Sequence, residues 1–189
     1  MIGVEAGQKR FFIALLPPVE VQQDAATIIE ELGQRYRTST AKAPPHITLQ
    51  PPFLWAEVST LENHLATFAS HQSVIPIHLS GFGAFAPRVL YINVLPTPAL
   101  LTVQTALSRK LETELGIVDP MAKRRPFAPH LTVASRNVTR QTFRQAWVEL
   151  RSRQAEWQFV VERLTLLIHD GHRWQIQAEF PFAHRFPAL

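Results

Sequence analysis

Pro45-His46-Ile47-Thr48-Leu49 and, 84 residues later, Pro129-His130-Leu131-Thr132-Val133 are two copies of one pattern, a proline followed by His-x-Thr with aliphatic residues interleaved. In a β-strand, residues i and i+2 point to the same face. His46 and Thr48 therefore share one face, while Ile47 and Leu49 turn to the other and can pack against helices. His130 and Thr132 repeat this over Leu131 and Val133. A single His-x-Thr in a strand is ordinary. Two copies spaced at close to half of a 189-residue chain are not, and the flanking segments match as well.

Before the first motif, Phe11–Leu16 is a continuous apolar run halted by Pro17-Pro18, which reads as a buried strand. A helix follows, with Val21, Ala25, Ile28, Ile29, Leu32 and Tyr36 on one face. After the motif, Ser59 and Glu62 have capping-box spacing, and Leu61, Leu65 and Phe68 give a second helix its stripe. Val74–Phe82 then alternates like a strand. The second half runs in the same order. Arg88–Leu95 is strand-like, and Thr97-Pro98 opens a helix carrying Leu100, Val103, Leu107, Leu111 and Leu115, with Gly116 as its stop. Beyond the second motif, Thr139 caps a helix bearing Phe143, Ala146, Trp147 and Leu150. Two strands, Trp157–His169 and His172–Phe180, close the chain about an Asp170-Gly171 turn. Matched helix starts fall about 80 residues apart, which points to duplication. The expected fold is α+β and bilobal, with antiparallel sheets, a pseudo-twofold and both His-x-Thr strands facing a central cleft. Residues 1–189 form one such domain.

Composition narrows the chemistry. Hydrophobic residues make up 46% and charged residues 18%, enough apolar material for a core. There is no cysteine, so disulfides, thiolate nucleophiles and thiolate metal sites are excluded. The sequence lacks GxxxxGK[ST], GxGxxG and GxSxG, the common marks of phosphate loops, dinucleotide folds and serine-hydrolase elbows. The opening MIGVEAGQKR has no basic-then-apolar order, and Phe11–Leu16 is far too short to cross a bilayer. A cytoplasmic protein without membrane attachment or an evident obligate protein partner is expected. Net charge is +4, but residues 121–189 hold eleven Lys/Arg against five Asp/Glu and residues 1–120 eight against ten. The basic C-terminal part suits an anionic partner such as RNA or a phosphate ester, or is a solvated arginine-rich surface.

Paired imidazoles and hydroxyls have a chemical use. Histidine titrates near 6.5 when unperturbed, so one ring can be neutral while its mate is protonated. The neutral ring takes a proton from an attacking oxygen and the charged one gives a proton to the departing oxygen. Threonine hydroxyls can bind the non-bridging oxygens. In-line displacement at a phosphodiester needs base and acid on opposite sides, which a pseudo-twofold supplies.

At Pro45–Leu49 and Arg125-Pro126-Phe127-Ala128-Pro129-His130-Leu131-Thr132-Val133 the sequence resembles the 2H phosphoesterase superfamily, and within it the bacterial 2′-5′ RNA ligase/cyclic phosphodiesterase group. The opening Arg10–Leu15 and the ending Trp174–Phe182 look like that group too, so the likeness spans nearly the whole chain. The resemblance implies a bilobal fold and a metal-independent enzyme without cofactors. Such an enzyme opens 2′,3′-cyclic phosphates of nucleotides or RNA ends to 2′-phosphates, and some members reversibly join RNA ends through 2′-5′ linkages. It implies that His46 and His130 are the catalytic pair and Thr48 and Thr132 the phosphate-binding hydroxyls. Many RNA-ligase-type members carry a basic residue five positions after the second histidine; here that position is Ser135, with Arg136 next to it as the candidate. The first motif continues as Gln50-Pro51-Pro52-Phe53 rather than Phe-Leu-Gly, and the two prolines are expected to end strand pairing there.

Phe12, Phe53, Phe85, Tyr91 and Phe127 are candidate base-stacking residues, with Phe12 and Phe127 favoured because they lie in the family-like segments. Arg125 can bind phosphate or anchor its loop, and the run Lys123-Arg124-Arg125 reads as a solvated loop. His169 and His172 flank the last turn without an evident third metal ligand. His64 reads as a packed histidine, and His71, His78 and His184 join no constellation. Two other functions stay open: an RNA-binding module that keeps the cleft but does not turn over, and a metal-dependent hydrolase, which lacks a supporting carboxylate cluster.

Overall fold

A computed structural model describes residues 7–121 and 124–183. Lys123 and His184 lie outside the described residues. The chain runs β1 (Lys9–Leu15), α1 (Val19–Tyr36), β2 (Ile47–Trp55), α2 (Val58–Ala69), β3 (Ile75–Phe85) and β4 (Val89–Val94). It continues with α3 (Pro98–Leu115), β5 (His130–Ala134), α4 (Arg140–Leu150), β6 (Glu156–Val161), β7 (Arg163–His169) and β8 (Trp174–Pro181). Among the described residues, no helix is long and apolar enough to cross a membrane.

Helix ends follow local chemistry. Thr97 accepts the Leu100 N–H at the start of α3, Pro98 fills its first turn, and Gly116 ends it at φ 65°. At α4 the Thr139 hydroxyl accepts the Thr142 N–H at 3.1 Å while the Thr142 hydroxyl accepts the Thr139 N–H at 2.9 Å. The expected box at Ser59 and Glu62 does not form. Helix α2 starts at Val58 with Glu57 as an N-cap that makes no side-chain bond, so Ser59 is already inside the first turn.

All eight strands join one antiparallel sheet in the order β6-β3-β4-β5-β2-β1-β7-β8. This corrects the expectation of separate sheets: two four-stranded halves meet where β2 pairs with β5 at Ile47 and Leu131. The order reads outward in matching steps, β5-β4-β3-β6 on one side and β2-β1-β7-β8 on the other. The expected strand Trp157–His169 is also divided. Its first part pairs with β3, its second lies between β1 and β8, and only Glu162 separates them. One intervening residue spans about 7 Å, whereas the first and seventh strands of a flat sheet would stand about 29 Å apart. The sheet must therefore curl until its two ends approach.

The halves also interlock through their helices, since α1 packs on β5 and α3 on β2. One large core joins Phe11, Ile13, Leu15, Ile47, Leu49, Leu131 and Val133 to the apolar stripes of all four helices. Phe12 and Ala14, on the opposite face of β1, belong to a smaller cluster with Leu167 and Trp174.

The two prolines after the first motif do not end β2. Phe11 pairs with Phe53 and Ile13 with Gln50, so Pro51 and Pro52 together stand opposite Phe12 in a bulge. A bulge absorbs residues without ladder N–H groups, and β5 pairs with β2 only at Ile47 and so asks nothing of either proline. Leu131 is fully buried at the joint between the halves. Leu131→Ala is expected to cost about 3 kcal/mol in urea unfolding; a loss under about 1 kcal/mol would mean that the joint carries little of the stability.

Candidate active site

The β2–β5 pairing decides where the four motif side chains stand. With Ile47 opposite Leu131 in an antiparallel pair, the register sets His46 across from Thr132 and Thr48 across from His130. Ile47 and Leu131 fill the core face, so the two histidines and two threonines form a block on the other face. Directly opposite Cβ atoms in such a pair are about 5 Å apart and diagonal neighbours about 7–8 Å. The imidazoles occupy one diagonal and the hydroxyls the other.

Each imidazole is held in the same way. His46 Nδ1 lies 2.7 Å from the Pro44 carbonyl oxygen and His130 Nδ1 lies 2.8 Å from that of Ala128. Residues 44 and 128 each precede a proline, which favours extended backbone there and supplies no N–H of its own. The carbonyl can only accept, so Nδ1 carries the proton, and in the neutral ring Nε2 keeps its lone pair. Aromatic rings fix the other sides. Phe12 packs on His46 with centroids 4.7 Å apart, while His130 meets Phe85 at 4.9 Å and Tyr91 at 5.1 Å.

Burial pushes both histidines below their ordinary value. At His46 desolvation is the main cause, partly offset by the Pro44 hydrogen bond, and the nearby charge of His130 adds to the lowering. At His130 desolvation again leads, opposed by the Ala128 carbonyl. Both rings are thus biased toward the neutral form.

The remaining sequence candidates are placed unevenly. Phe12 does reach the site but is only 3% exposed, wedged edge-on between His46 and Trp174 at 4.6 Å from the latter. It supports the histidine rather than offering an open face. Phe127 is half-buried against the main core, and Phe53 packs on Phe11 at 6.2 Å. Phe85, 41% exposed, and Tyr91 are the aromatic pair on His130. Arg125 sits exposed in the approach loop, its N–H donating to the Met121 carbonyl. Arg136 is exposed, and its backbone bridges to Ser39 just beyond β5. His169 packs on Trp174 at 4.9 Å and its Nδ1 accepts the Gly171 N–H, so the turn employs it. His64 bonds the Thr60 carbonyl and approaches Glu114 of α3 at 3.5 Å. Among the described residues, no group of three or more His, Asp or Glu is arranged to hold a metal. The sequence did not single out Trp174, whose ring packs on Phe12 and so backs His46 from behind. The likeness of Trp174–Phe182 to the family was the one available signal.

A model of the 2′-5′ RNA ligase superfamily matches residues 17–173, most of the chain. The protein belongs to that superfamily. A relative from Bacillus cytotoxicus, named "Putative phosphoesterase", is 27% identical over 168 residues, covering 86% of this chain and 91% of its own. Crystal structures of E. coli LigT share the fold. The apo form gives a TM-score of 0.64 at 19% identity, over 94% of this chain and 99% of that one. The complex with 3′-AMP gives 0.55 at 21% identity, with the same coverage.

Two outcomes follow from this geometry. In NMR titrations both imidazoles should have midpoints below 6.5; a midpoint at or above that value for either would contradict the burial argument. Unfolded, each ring titrates near 6.5. Just below that pH the unfolded chain binds more protons than the folded one, so this contribution to stability is complete above 6.5 and lost as pH falls. The second outcome concerns Gly83, which stands opposite Tyr91. A Cβ there would collide with the Tyr91 ring and with Asn93 Oδ1. Gly83→Ala should therefore push Tyr91 off His130 and move the His130 midpoint toward 6.5 while leaving that of His46. Equal movement of both would show a general loosening instead.

Proposed function

We propose that this protein is a metal-independent phosphoesterase that hydrolyses 2′,3′-cyclic phosphodiesters of nucleotides or RNA ends to 2′-phosphates by two-histidine acid–base catalysis. The observation that carries the reading is the diagonal pair of imidazoles, each fixed through Nδ1 to a carbonyl and leaving Nε2 for chemistry. Membership of the superfamily and the phosphoesterase naming of its Bacillus relative agree with it, as does the 3′-AMP complex of LigT.

In the proposed reaction, cyclic phosphate lies between the rings with its non-bridging oxygens on the Thr48 and Thr132 hydroxyls. Its negative charge favours protonation of one ring, offsetting the burial that keeps both neutral when the site is free. The neutral ring accepts a proton from water as the water oxygen bonds to phosphorus. The P–O3′ bond breaks opposite, and the charged ring protonates O3′. A 2′-phosphomonoester and a 3′-hydroxyl result. The same course with a ribose 5′-hydroxyl in place of water is the chemistry of 2′-5′ joining, and its reverse reopens that linkage. Which imidazole acts as base depends on the direction of attack, and either suits the arrangement.

Wild type, His46→Ala and His130→Ala should be incubated with 2′,3′-cyclic nucleotides and cyclic-ended RNA in EDTA. Wild type should yield the 2′-phosphate, each variant should lose about 10²–10⁴-fold in kcat, and kcat/KM of wild type should be bell-shaped in pH. A 3′-phosphate product, or turnover abolished by EDTA, would contradict the mechanism. The positive charge of residues 121–189 favours a second reading, an RNA-binding module. Salt-sensitive RNA binding that survives both substitutions, with no turnover by wild type, would put that reading in its place.

A further inference from the structure

Beside His46 opens a hollow of about 390 Å³ lined by Lys42, Ala43, Pro44, Arg173, Trp174 and Gln175. It is built into the same frame as the histidine. Pro44 supplies the carbonyl that holds His46 Nδ1, and the Trp174 N–H donates to the Lys42 carbonyl at 2.7 Å, fastening the approach loop to β8. Trp174 in turn buttresses Phe12, which packs on His46. Whatever sits in the hollow is thus held at a fixed offset from the imidazole.

The hollow is electropositive. Lys42 and Arg173 stand exposed on its rim, and the Arg10 guanidinium lies over the Trp174 ring at 5.6 Å. The nearby carboxylate, Asp170, is committed to its turn. Oδ1 accepts the N–H groups of His172 and Arg173 at 2.8 Å each, and Oδ2 accepts from the Gln175 amide and stands 3.9 Å from Arg173 Nε. Arg173 is thus ion-paired with Asp170 through Nε, and its terminal N–H groups face away from that contact as donors for a ligand. A guanidinium and an ammonium facing one hollow suit a phosphate, the first through paired N–H groups and the second as a point charge.

Resting on the phosphoesterase reading, we propose that this hollow is a second anion subsite that takes the 5′-phosphate of the nucleotide whose 2′,3′-cyclic phosphate lies between His46 and His130. The protein then selects ends that carry a 5′-phosphoryl group over a bare nucleoside 2′,3′-cyclic phosphate. The phosphoryl can belong to a mononucleotide or to the next linkage of an RNA strand.

The test measures kcat and KM at low salt for three substrates with one nucleobase: a nucleoside 2′,3′-cyclic phosphate, the same compound with a 5′-phosphate, and a dinucleotide with the same cyclic end. Both 5′-phosphorylated substrates should be favoured about tenfold in kcat/KM, chiefly through KM, as two charge-assisted contacts allow. Lys42→Ala/Arg173→Ala should bring the ratio to about 1. Arg144→Ala, which removes an exposed cation of α4, should leave it intact. A wild-type ratio near 1, or a ratio untouched by the double substitution, would overturn the subsite while leaving the phosphoesterase reading in place. Preference for the dinucleotide alone would also overturn it, because a second nucleoside would then be what is read. Turnover of none of the three would remove the reading and the subsite together.

Discussion

One strand pairing holds this molecule's chemistry together. Ile47 of β2 lies opposite Leu131 of β5 and sets the register between those two strands. Both side chains are fully buried on the helix face. In a strand the side-chain period is two, so burying them forces His46, Thr48, His130 and Thr132 to the opposite face together. A slip of one residue in either strand would turn its histidine into the core. The helices defend the register, because α1 lies on β5 and α3 on β2, each reaching into the other half. Stability and site geometry are thus the same constraint.

Around that joint the protein withholds charge. Both imidazoles are desolvated by aromatic rings and tethered to carbonyls, and burial outweighs the hydrogen bond in setting their protonation. A free site with two neutral rings avoids repulsion between like charges on a short diagonal. In the proposed reaction a phosphate anion would change the balance by stabilising one imidazolium and so complete the acid–base pair. The two rings reach this state with different neighbours, Phe12 and Trp174 on one side and Phe85 and Tyr91 on the other.

Much of this was legible in the sequence because short-range rules apply. Alternation around each His-x-Thr set the facing, and Thr97, Thr139 and Gly116 marked helix ends through local hydrogen bonds and a left-handed turn. What was not legible depends on partners distant in the chain. The break at Glu162 exists because Val161 and Arg163 join opposite ends of a curled sheet, a fact of topology that the apolar run around it does not encode. Pro51 and Pro52 look like strand breakers until a bulge against Phe12 and the short β2–β5 pairing remove any need for their N–H groups. The ring contacts of Phe85 and Tyr91 with His130, and the approach of Lys42 and Arg173 across a loop and a hairpin, belong likewise to tertiary structure.

Whether His46 and His130 act as one catalytic unit is measured by a double-mutant cycle on kcat. His46→Ala, His130→Ala and the double variant would be compared on one 2′,3′-cyclic substrate, with folding checked by circular dichroism. If the rings serve as base and acid of a single displacement, removing either disables the step, and the double variant should be about as slow as the slower single one. Losses that simply multiply would mean that the histidines contribute independently and would contradict the account.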